Sequence, residues 1–203
     1  MRTEQEKFWK STFGNQYTDR TIKKKFYTTR IKMWSDILPQ APGIRSVFEI
    51  GTNTGSNLDI IKLLNPNQKI ETSGIEINKK AFLIAKKKHK IQNISVLDFK
   101  PKKKFSLAFS AGVLIHLPPE KLKHAYKVLY NSSNKYIVIS EYFNVSPVEI
   151  VYRGHSNKLF KRDFAKEIKN LYDLELIDYK FMWSEDNFFP CDNTTWFLFK
   201  KKN

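Results

Sequence analysis

Cysteine is almost missing from this sequence of 203 residues, in which Cys191 stands alone. A single thiol excludes an intramolecular disulfide and favours a reducing compartment. The sequence also has no basic leader running into an apolar stretch and no apolar run of about 18 residues, so we expect neither a signal peptide nor a membrane span. These absences predict a cytoplasmic protein.

Arginine is scarce too, with six residues beside 30 lysines, although the formal net charge is +16. Lysine clusters at 23–25, 86–88 and 102–104 are suited to neutralising phosphates, which raises nucleic acid as a partner. Arginine, however, is the residue that grips phosphate with two donors and reads bases. The lysine-rich composition therefore indicates solvated faces, and nucleic acid is not the expected partner.

The length and the hydrophobic content of 41% favour one domain, residues 1–203, with a substantial core. Apolar positions between residues 3 and 38 recur at mostly helical spacing, and Pro39 and Pro42 close that segment. We therefore predict a helical N-terminal lid over residues 1–40, followed by the core over 41–203.

Apolar strands and helices alternate through the core, as expected for a parallel sheet with crossover helices. The strands are predicted at 47–50, 70–77, 94–97, 105–110 and 136–140, and the helices at 58–64, 81–89 and 120–130. Alternating runs at 174–181 and 195–199 predict an antiparallel hairpin at the sheet edge. The expected fold class is α/β, Rossmann-like, with seven mostly parallel strands.

The segment VFEIGTNTGSN, residues 47–57, passes from a strand to a helix through small residues. Gly51 and Gly55 allow the backbone to approach a ligand closely, and the helix start offers free N–H groups. A dinucleotide fingerprint fails here, because positions 53 and 56 hold asparagine and serine rather than glycine. The acidic-x-Gly-x-(Gly/Asn)-x-Gly pattern starting at Glu49 resembles instead the first motif of class I S-adenosylmethionine-dependent methyltransferases.

Glu76 supports the same interpretation, because it ends the next predicted strand about 25 residues after Gly51. A carboxylate at that place can accept hydrogen bonds from two neighbouring ribose hydroxyls at once. The two signals together predict a cofactor that carries a ribose.

A more specific resemblance covers nearly the whole chain. It is carried by the segments TEQEKFWKSTFGNQYTDR, FEIGTNTGSNL, GIEIN, GVLIHLPPE, EYFNVSPVEIVYRGHSNKLFKRDFAKE and TTWFLFKK. These segments resemble the methylase family associated with pseudaminic acid biosynthesis genes. The resemblance implies the class I methyltransferase fold, S-adenosylmethionine as methyl donor, S-adenosylhomocysteine as product, and a substrate in bacterial surface polysaccharide biosynthesis.

The resemblance also implies roles for residues in the loops that follow the strands. Asp98 is expected to face the adenine amino group with Phe99 packed on the ring, and Tyr17 and Arg20 to close the lid over the methionine end. The candidate cofactor residues are Tyr17, Arg20, Glu49, Gly51, Thr52, Asn53, Gly55, Asn57, Glu76, Ile77, Asp98, Phe99 and Gly112. No metal ligand is predicted.

A polar segment at about 142–163 interrupts the strand–helix rhythm and is the candidate substrate loop. Its residues, with Glu141 before them, offer groups for an anionic, hydroxyl-bearing acceptor and a histidine that titrates near neutral pH. The candidate substrate residues are Glu141, Tyr142, Tyr152, Arg153 and Lys158, and the candidate bases are His155 and His116.

The function predicted from sequence is methyl transfer to oxygen or nitrogen of an anionic small molecule, such as a nonulosonic acid or nucleotide-linked sugar. Two alternatives remain. An RNA or other nucleic-acid methyltransferase would use the lysine-rich surface, although the Asn/Asp-Pro-Pro-Tyr/Phe-like motif for flipped bases is missing. A non-catalytic cofactor-binding protein would need only the glycine loop. The acceptor atom, the natural substrate and the oligomeric state are not predicted.

Overall fold

The computed structural model describes residues 2–22 and 27–202, so the predicted lysine cluster at 23–25 and the apolar Phe26 lie outside the described residues. The N-terminal segment is helical, as predicted. Its helices are α1 (Glu4–Lys10), α2 (Thr12–Ile22) and α3 (Tyr27–Ile37). A capping box starts α1, in which Thr3 and Glu6 satisfy each other's backbone N–H groups.

The core is a seven-stranded sheet in the order β3-β2-β1-β4-β5-β9-β8. The first five strands pair in parallel, and β9 and β8 complete the sheet in antiparallel fashion. The strands are β1 (Ser46–Ile50), β2 (Glu71–Ile75), β3 (Lys90–Gln92), β4 (Phe105–Ala111), β5 (Ser133–Glu141), β8 (Leu174–Met182) and β9 (Thr194–Lys201). The predicted Rossmann-like class is therefore confirmed.

Two apolar layers cover the two faces of this sheet, because neighbouring strand residues point to opposite sides. Phe48 of β1 belongs to the layer that contains α6 (Leu122–Ser132) and α7 (Phe164–Leu171), whereas Val47 belongs to the layer that contains α3 and α4 (Ser56–Leu63). Trp34 of α3 is fully buried there, with its ring 4.7 Å from that of Phe109. The core helices are α4 (Ser56–Leu63), α5 (Lys79–Ala85), α6 (Leu122–Ser132) and α7 (Phe164–Leu171).

The prediction of a strand at residues 94–97 is wrong. The third strand is the short, largely exposed edge segment Lys90–Gln92, and residues 94–97 follow it as irregular backbone and a turn. The apolar run was misread because Val96 is buried beneath the loop rather than within a strand. Short apolar runs do not distinguish strands from buried turns by pattern alone.

The predicted substrate loop is largely a two-stranded hairpin of β6 (Val148–Tyr152) and β7 (His155–Lys161). Its two-residue turn is Arg153-Gly154, with φ of 50° and 82°. Positive φ at both central residues gives the type I′ geometry that matches the twist of a hairpin. Across the described ranges, no helix is long and apolar enough to cross a membrane.

Candidate functional site

The main cavity opens at the carboxyl ends of β1, β2 and β4, where open parallel sheets bind ligands. Residues of helices α1 and α2 line its opposite side, and their role as a lid stays a prediction. The sheet side is lined by Glu49–Asn53, Ser56, Asn57, Ile75–Asn78, Ala81, Ile94–Val96, Ala111–Val113, His116 and Leu117, and the helical side by Gln5, Glu6, Trp9, Gly14, Tyr17, Thr18 and Arg30.

The glycine loop after β1 forms the floor of the cavity. Gly51 has a φ of 68° and donates its N–H to the Ile75 carbonyl at 2.9 Å. A Cβ added to Gly51 would lie 2.5 Å from a methyl carbon of Val113, so both conformation and space demand glycine. Gly55 begins α4 with a φ of 85°, and Asn53 takes a φ of 47° in place of the usual middle glycine.

Glu76 stands at the end of β2 with its carboxylate held from two sides. One oxygen accepts from the Asn53 N–H and the other from the Asn78 N–H, both at 2.7 Å. Burial raises the pKa of Glu76, and these backbone donors oppose that effect. Each oxygen keeps lone pairs for a further donor, which suits a pair of ligand hydroxyls.

Glu49 lies at the end of β1, where it is 1% exposed. Its Oε1 accepts from the Asn57 amide at 2.7 Å, and Asn57 accepts in turn from the Trp34 indole at 3.2 Å. Its Oε2 is buried and has no hydrogen-bond partner among the described residues. Burial raises the Glu49 pKa to about 8, against the lowering effect of Asn57 and Arg30. Glu49 is thus mostly protonated at pH 7, and its Oε2 is free to pair with a further group once the carboxyl ionises.

Aromatic rings wall the lid side of the cavity. The Trp9 ring lies 5.2 Å from that of Tyr17 and 4.6 Å from that of His116. Tyr152 of the hairpin extends the group, with its ring 5.0 Å from that of His116. Asn78 ties this wall to the Glu76 loop by donating to the Trp9 carbonyl at 3.0 Å. These contacts join the N-terminal helices to the hairpin and to the loop after β2.

His116 is the predicted histidine that reaches the cavity. It lies in the 3₁₀ turn Leu114–His116 after β4 and is 8% exposed. Its Nδ1 is 2.6 Å from the Lys158 carbonyl oxygen. Burial lowers the pKa of His116 to about 4, so the imidazole is neutral at pH 7.

The structure does not bring Asp98 and Phe99 to the cavity. Asp98 is exposed, and Phe99 packs in the core with its ring stacked 5.1 Å from that of Phe48. The prediction missed because β3 ends at residue 92, so the loop that reaches the cavity is 93–96. Ser95 and Val96 line the cavity instead.

Glu141 is a structural carboxylate rather than a substrate ligand. It is buried at the end of β5, where Oε1 accepts from the Ser110 hydroxyl at 2.7 Å and from the Val113 and Leu114 N–H groups at 3.0 Å. Burial raises its pKa to about 7, although these donors lower it. The carboxylate thereby holds the turn that carries His116.

Three further predicted residues sit on the hairpin but away from the cavity. His155 is exposed, with its ring 5.0 Å from that of Phe8 on α1. Arg153 occupies the exposed turn, and the Lys158 ammonium pairs with Glu4 at 3.2 Å. The sequence showed that this segment is polar but not which way its side chains point.

Tyr142 and Arg20 lie next to the cavity rather than on its lining. Burial raises the pKa of Tyr142, and Asp192 and Tyr152 add to the effect. The Arg20 guanidinium lies over the Tyr17 ring at 5.6 Å, and its Nη2 is buried without a hydrogen-bond partner in the part of the chain that the structure describes.

Sequence reasoning missed several lining residues, above all Trp9, Arg30, Asn78 and Ser95. Arg30 donates to the Ser56 hydroxyl at 2.5 Å beside the glycine loop, although 26 residues separate the two. Placing the third strand correctly would have found Ser95, whereas Trp9 and Arg30 have no local signal. Within residues 2–22 and 27–202, no group of three histidine, cysteine, aspartate or glutamate residues is placed to hold a metal ion.

Comparison with known proteins shows the fold class. No protein-family model and no curated protein sequence matches the chain. Among solved structures, magnesium protoporphyrin IX methyltransferase (ChlM) from Synechocystis PCC 6803 with bound SAM matches with a TM-score of 0.70 at 12% identity, covering 99% of both chains. Streptomyces venezuelae DesVI matches with a TM-score of 0.65 at 12% identity, over 95% of this chain and 99% of that one.

A SAM-dependent methyltransferase from Archaeoglobus fulgidus matches with a TM-score of 0.64 at 17% identity, over 89% of this chain and 98% of that one. The protein therefore has the Rossmann-like fold of class I S-adenosylmethionine-dependent methyltransferases. At these identities the likeness establishes the fold alone, and the activity has to be argued from the site.

Proposed function

We propose that the protein is an S-adenosylmethionine-dependent methyltransferase that acts on oxygen or nitrogen of a small molecule. The observation that carries this proposal is Glu76, whose two oxygens each accept one backbone N–H and still offer lone pairs to a ribose diol. The glycine loop supports the same proposal, because Gly51 takes a φ of 68° and an added Cβ there would meet a methyl carbon of Val113, so the backbone of the loop stays uncovered at the cavity.

Glu49 and Arg30 suit the amino-acid end of the same cofactor. The buried Oε2 of Glu49 lacks a donor among the residues described, and a ligand ammonium would supply one. Arg30 lines the same cavity and offers a guanidinium for a carboxylate. Once a ligand ammonium has drawn Glu49 into its ionised form, Glu49 and Arg30 complement an α-amino acid group, which S-adenosylmethionine carries.

S-adenosylmethionine supplies a methyl group on a positively charged sulfur, so the transfer mainly requires alignment and exclusion of water. Trp9 and Tyr17 provide the exclusion by closing the lid side of the cavity. Val113 and Leu117 add apolar wall after β4. The residues of this chain therefore hold and shield the reactants.

The acceptor remains a proposal drawn from the resemblance to the pseudaminic acid-associated methylase family. This resemblance favours an acidic surface-sugar intermediate as the acceptor, in the cytoplasm. The free thiol of Cys191 agrees with such a reducing compartment. Arg153 and Lys158 do not support an anionic acceptor, because they face away from the cavity.

Calorimetric titration with S-adenosylmethionine and S-adenosylhomocysteine tests the proposal. We expect micromolar binding that NAD does not displace and that Glu76→Ala weakens at least a hundredfold, while Glu120→Ala, at an exposed position, retains it. Circular dichroism confirms that each variant is folded. Absence of binding by folded protein, or equal affinity in Glu76→Ala, would refute the cofactor assignment and leave the lysine-rich surface as the next lead.

A further inference from the structure

The His116 ring is held in a defined tautomer. Its Nδ1 lies 2.6 Å from the Lys158 carbonyl oxygen, and a carbonyl can only accept a hydrogen bond. Nδ1 therefore carries the proton. In a neutral imidazole that leaves Nε2 as the nitrogen with a free lone pair. His116 thus brings a proton acceptor, rather than a donor, to the cavity wall.

The carbonyl that sets this tautomer is itself fixed from two directions. Lys158 belongs to β7, whose pairing with β6 places Leu159 opposite Ile150. The neighbouring Asn157 carbonyl accepts from the Gln5 amide of the lid at 3.0 Å. The hairpin and the lid therefore hold the Lys158 carbonyl against His116, which makes Lys158 a positioning residue acting through its backbone.

Among the residues that the structure describes, burial and the Lys158 carbonyl are the influences on the pKa of His116, and no carboxylate is paired with its ring. Its ring packs against the rings of Trp9 and Tyr152, at 4.6 and 5.0 Å. Its pKa of about 4 keeps it neutral throughout the physiological range. Because the hydrogen bond to the Lys158 carbonyl fixes the ring on the cavity wall, the free Nε2 is available to accept a proton that becomes strongly acidic during a reaction.

We infer that the methyl acceptor is a hydroxyl group and that Nε2 of His116 receives its proton. This inference rests on the proposed methyltransferase function and narrows it from oxygen or nitrogen to oxygen. A neutral amine attacks through its only lone pair and needs no base to become nucleophilic. A hydroxyl becomes strongly acidic as its oxygen is alkylated, so it requires a nearby group to take the proton.

The step balances with the groups present. The hydroxyl oxygen forms a bond to the methyl carbon, and the carbon–sulfur bond breaks with its electron pair left on sulfur. The hydroxyl proton passes to Nε2 of His116, giving an imidazolium that releases the proton to solvent after product leaves. The weakly basic imidazole takes the proton late, once the new carbon–oxygen bond has made it acidic.

The first test reads the tautomer directly by ¹⁵N NMR of histidine-labelled protein saturated with S-adenosylhomocysteine. His116→Asn identifies the signal, since this chain has four histidines. We expect a protonated Nδ1 and an unprotonated Nε2 at pH 7. An Nε2–H tautomer, or an imidazolium, overturns the inference whatever the state of the cofactor assignment.

The second test separates chemistry from binding. In His116→Asn the side-chain amide can still donate to the Lys158 carbonyl, but the variant has no nitrogen at the position of Nε2 to accept a proton. We expect kcat to fall by about 10²–10⁴ while KM and the affinity for S-adenosylhomocysteine change by less than about threefold. The matched control is His124→Asn, on the exposed surface of α6.

The compounds to be assayed as acceptors are nucleotide-linked hexoses and nonulosonic acids, each paired with its amino analogue. Mass spectrometry identifies the methylated atom. O-methyl products lost in His116→Asn support the inference. Methylation of the amines alone, full activity of His116→Asn, or failure of every hydroxyl compound although S-adenosylmethionine binds overturns it. Failure of S-adenosylmethionine to bind overturns the proposed function as well, so the two failures are distinguishable.

Discussion

Because burial raises the pKa of Glu49, we expect cofactor binding to release a proton from its carboxyl group. With its pKa raised to about 8 by burial, roughly nine-tenths of the Glu49 carboxyl groups are protonated at pH 7 in the free protein. A ligand ammonium placed against Oε2 favours the ionised form and lowers that pKa. Binding of S-adenosylhomocysteine at pH 7 should therefore release about 0.9 of a proton.

Calorimetry in buffers with different ionisation enthalpies measures this proton directly. The same linkage makes affinity rise with pH, by close to tenfold between pH 6 and pH 7, and level off above about pH 8. Glu49→Gln keeps an acceptor for the Asn57 amide but cannot ionise, so its affinity should be independent of pH across this range. 5′-Methylthioadenosine lacks the amino-acid end and should bind wild type without proton release.

The raised pKa also has a consequence for stability. Because the folded pKa lies above the unfolded value of 4.5, folding favours the neutral carboxyl, and its stabilising contribution is complete below pH 4.5. That contribution is lost by up to about 1.4 kcal/mol per pH unit as pH rises from 4.5 towards 8. The free energy of unfolding of Glu49→Gln should depend less on pH there. Proton release that is zero in wild type, or unchanged in Glu49→Gln, would refute the reasoning.

Three further predictions concern single substitutions. Glu76→Gln places an amide N–H against a backbone N–H, so the affinity of the variant for S-adenosylhomocysteine, measured by calorimetry, should fall at least tenfold. An unchanged affinity would contradict the role of the carboxylate. Gly74→Ala puts a Cβ 2.6 Å from the Glu49 carbonyl and in contact with Thr52, so thermal unfolding should show a loss of about 1–3 kcal/mol or more. Tyr126→Phe removes the 2.7 Å hydrogen bond to Glu167 and should cost about 1 kcal/mol in denaturant unfolding, with no change in ligand binding.

Part of the cavity lining could be predicted because its signals are local in sequence. Glu49, Gly51 and Glu76 each stand where a buried strand ends, and parallel strands bring those ends to one edge of the sheet. Each of these residues interrupts or ends an apolar run, which makes it visible in the sequence. The fold class follows from the same alternation of strands and helices.

The acceptor side could not be predicted because its geometry depends on long-range contacts. The polarity of 142–163 did not reveal a hairpin, since Arg-Gly is not among the dipeptides that mark a type I′ turn most strongly. The contact between Gln5 and the Asn157 carbonyl joins residues 152 positions apart. His116 likewise makes its hydrogen bond to a residue 42 positions away, the Lys158 carbonyl, and no local pattern separates it from His155.

The position of β9 has a consequence for the order of folding. β9 lies between β5 and β8, so β8 reaches the sheet only through a strand that is synthesised after it. Until residues 194–201 are available, β5 presents an open edge whose residues 137–139 are almost fully buried in the finished sheet. An unpaired apolar edge is a template for intermolecular pairing. A nascent or truncated chain without β9 therefore exposes an edge that can pair with another chain and aggregate.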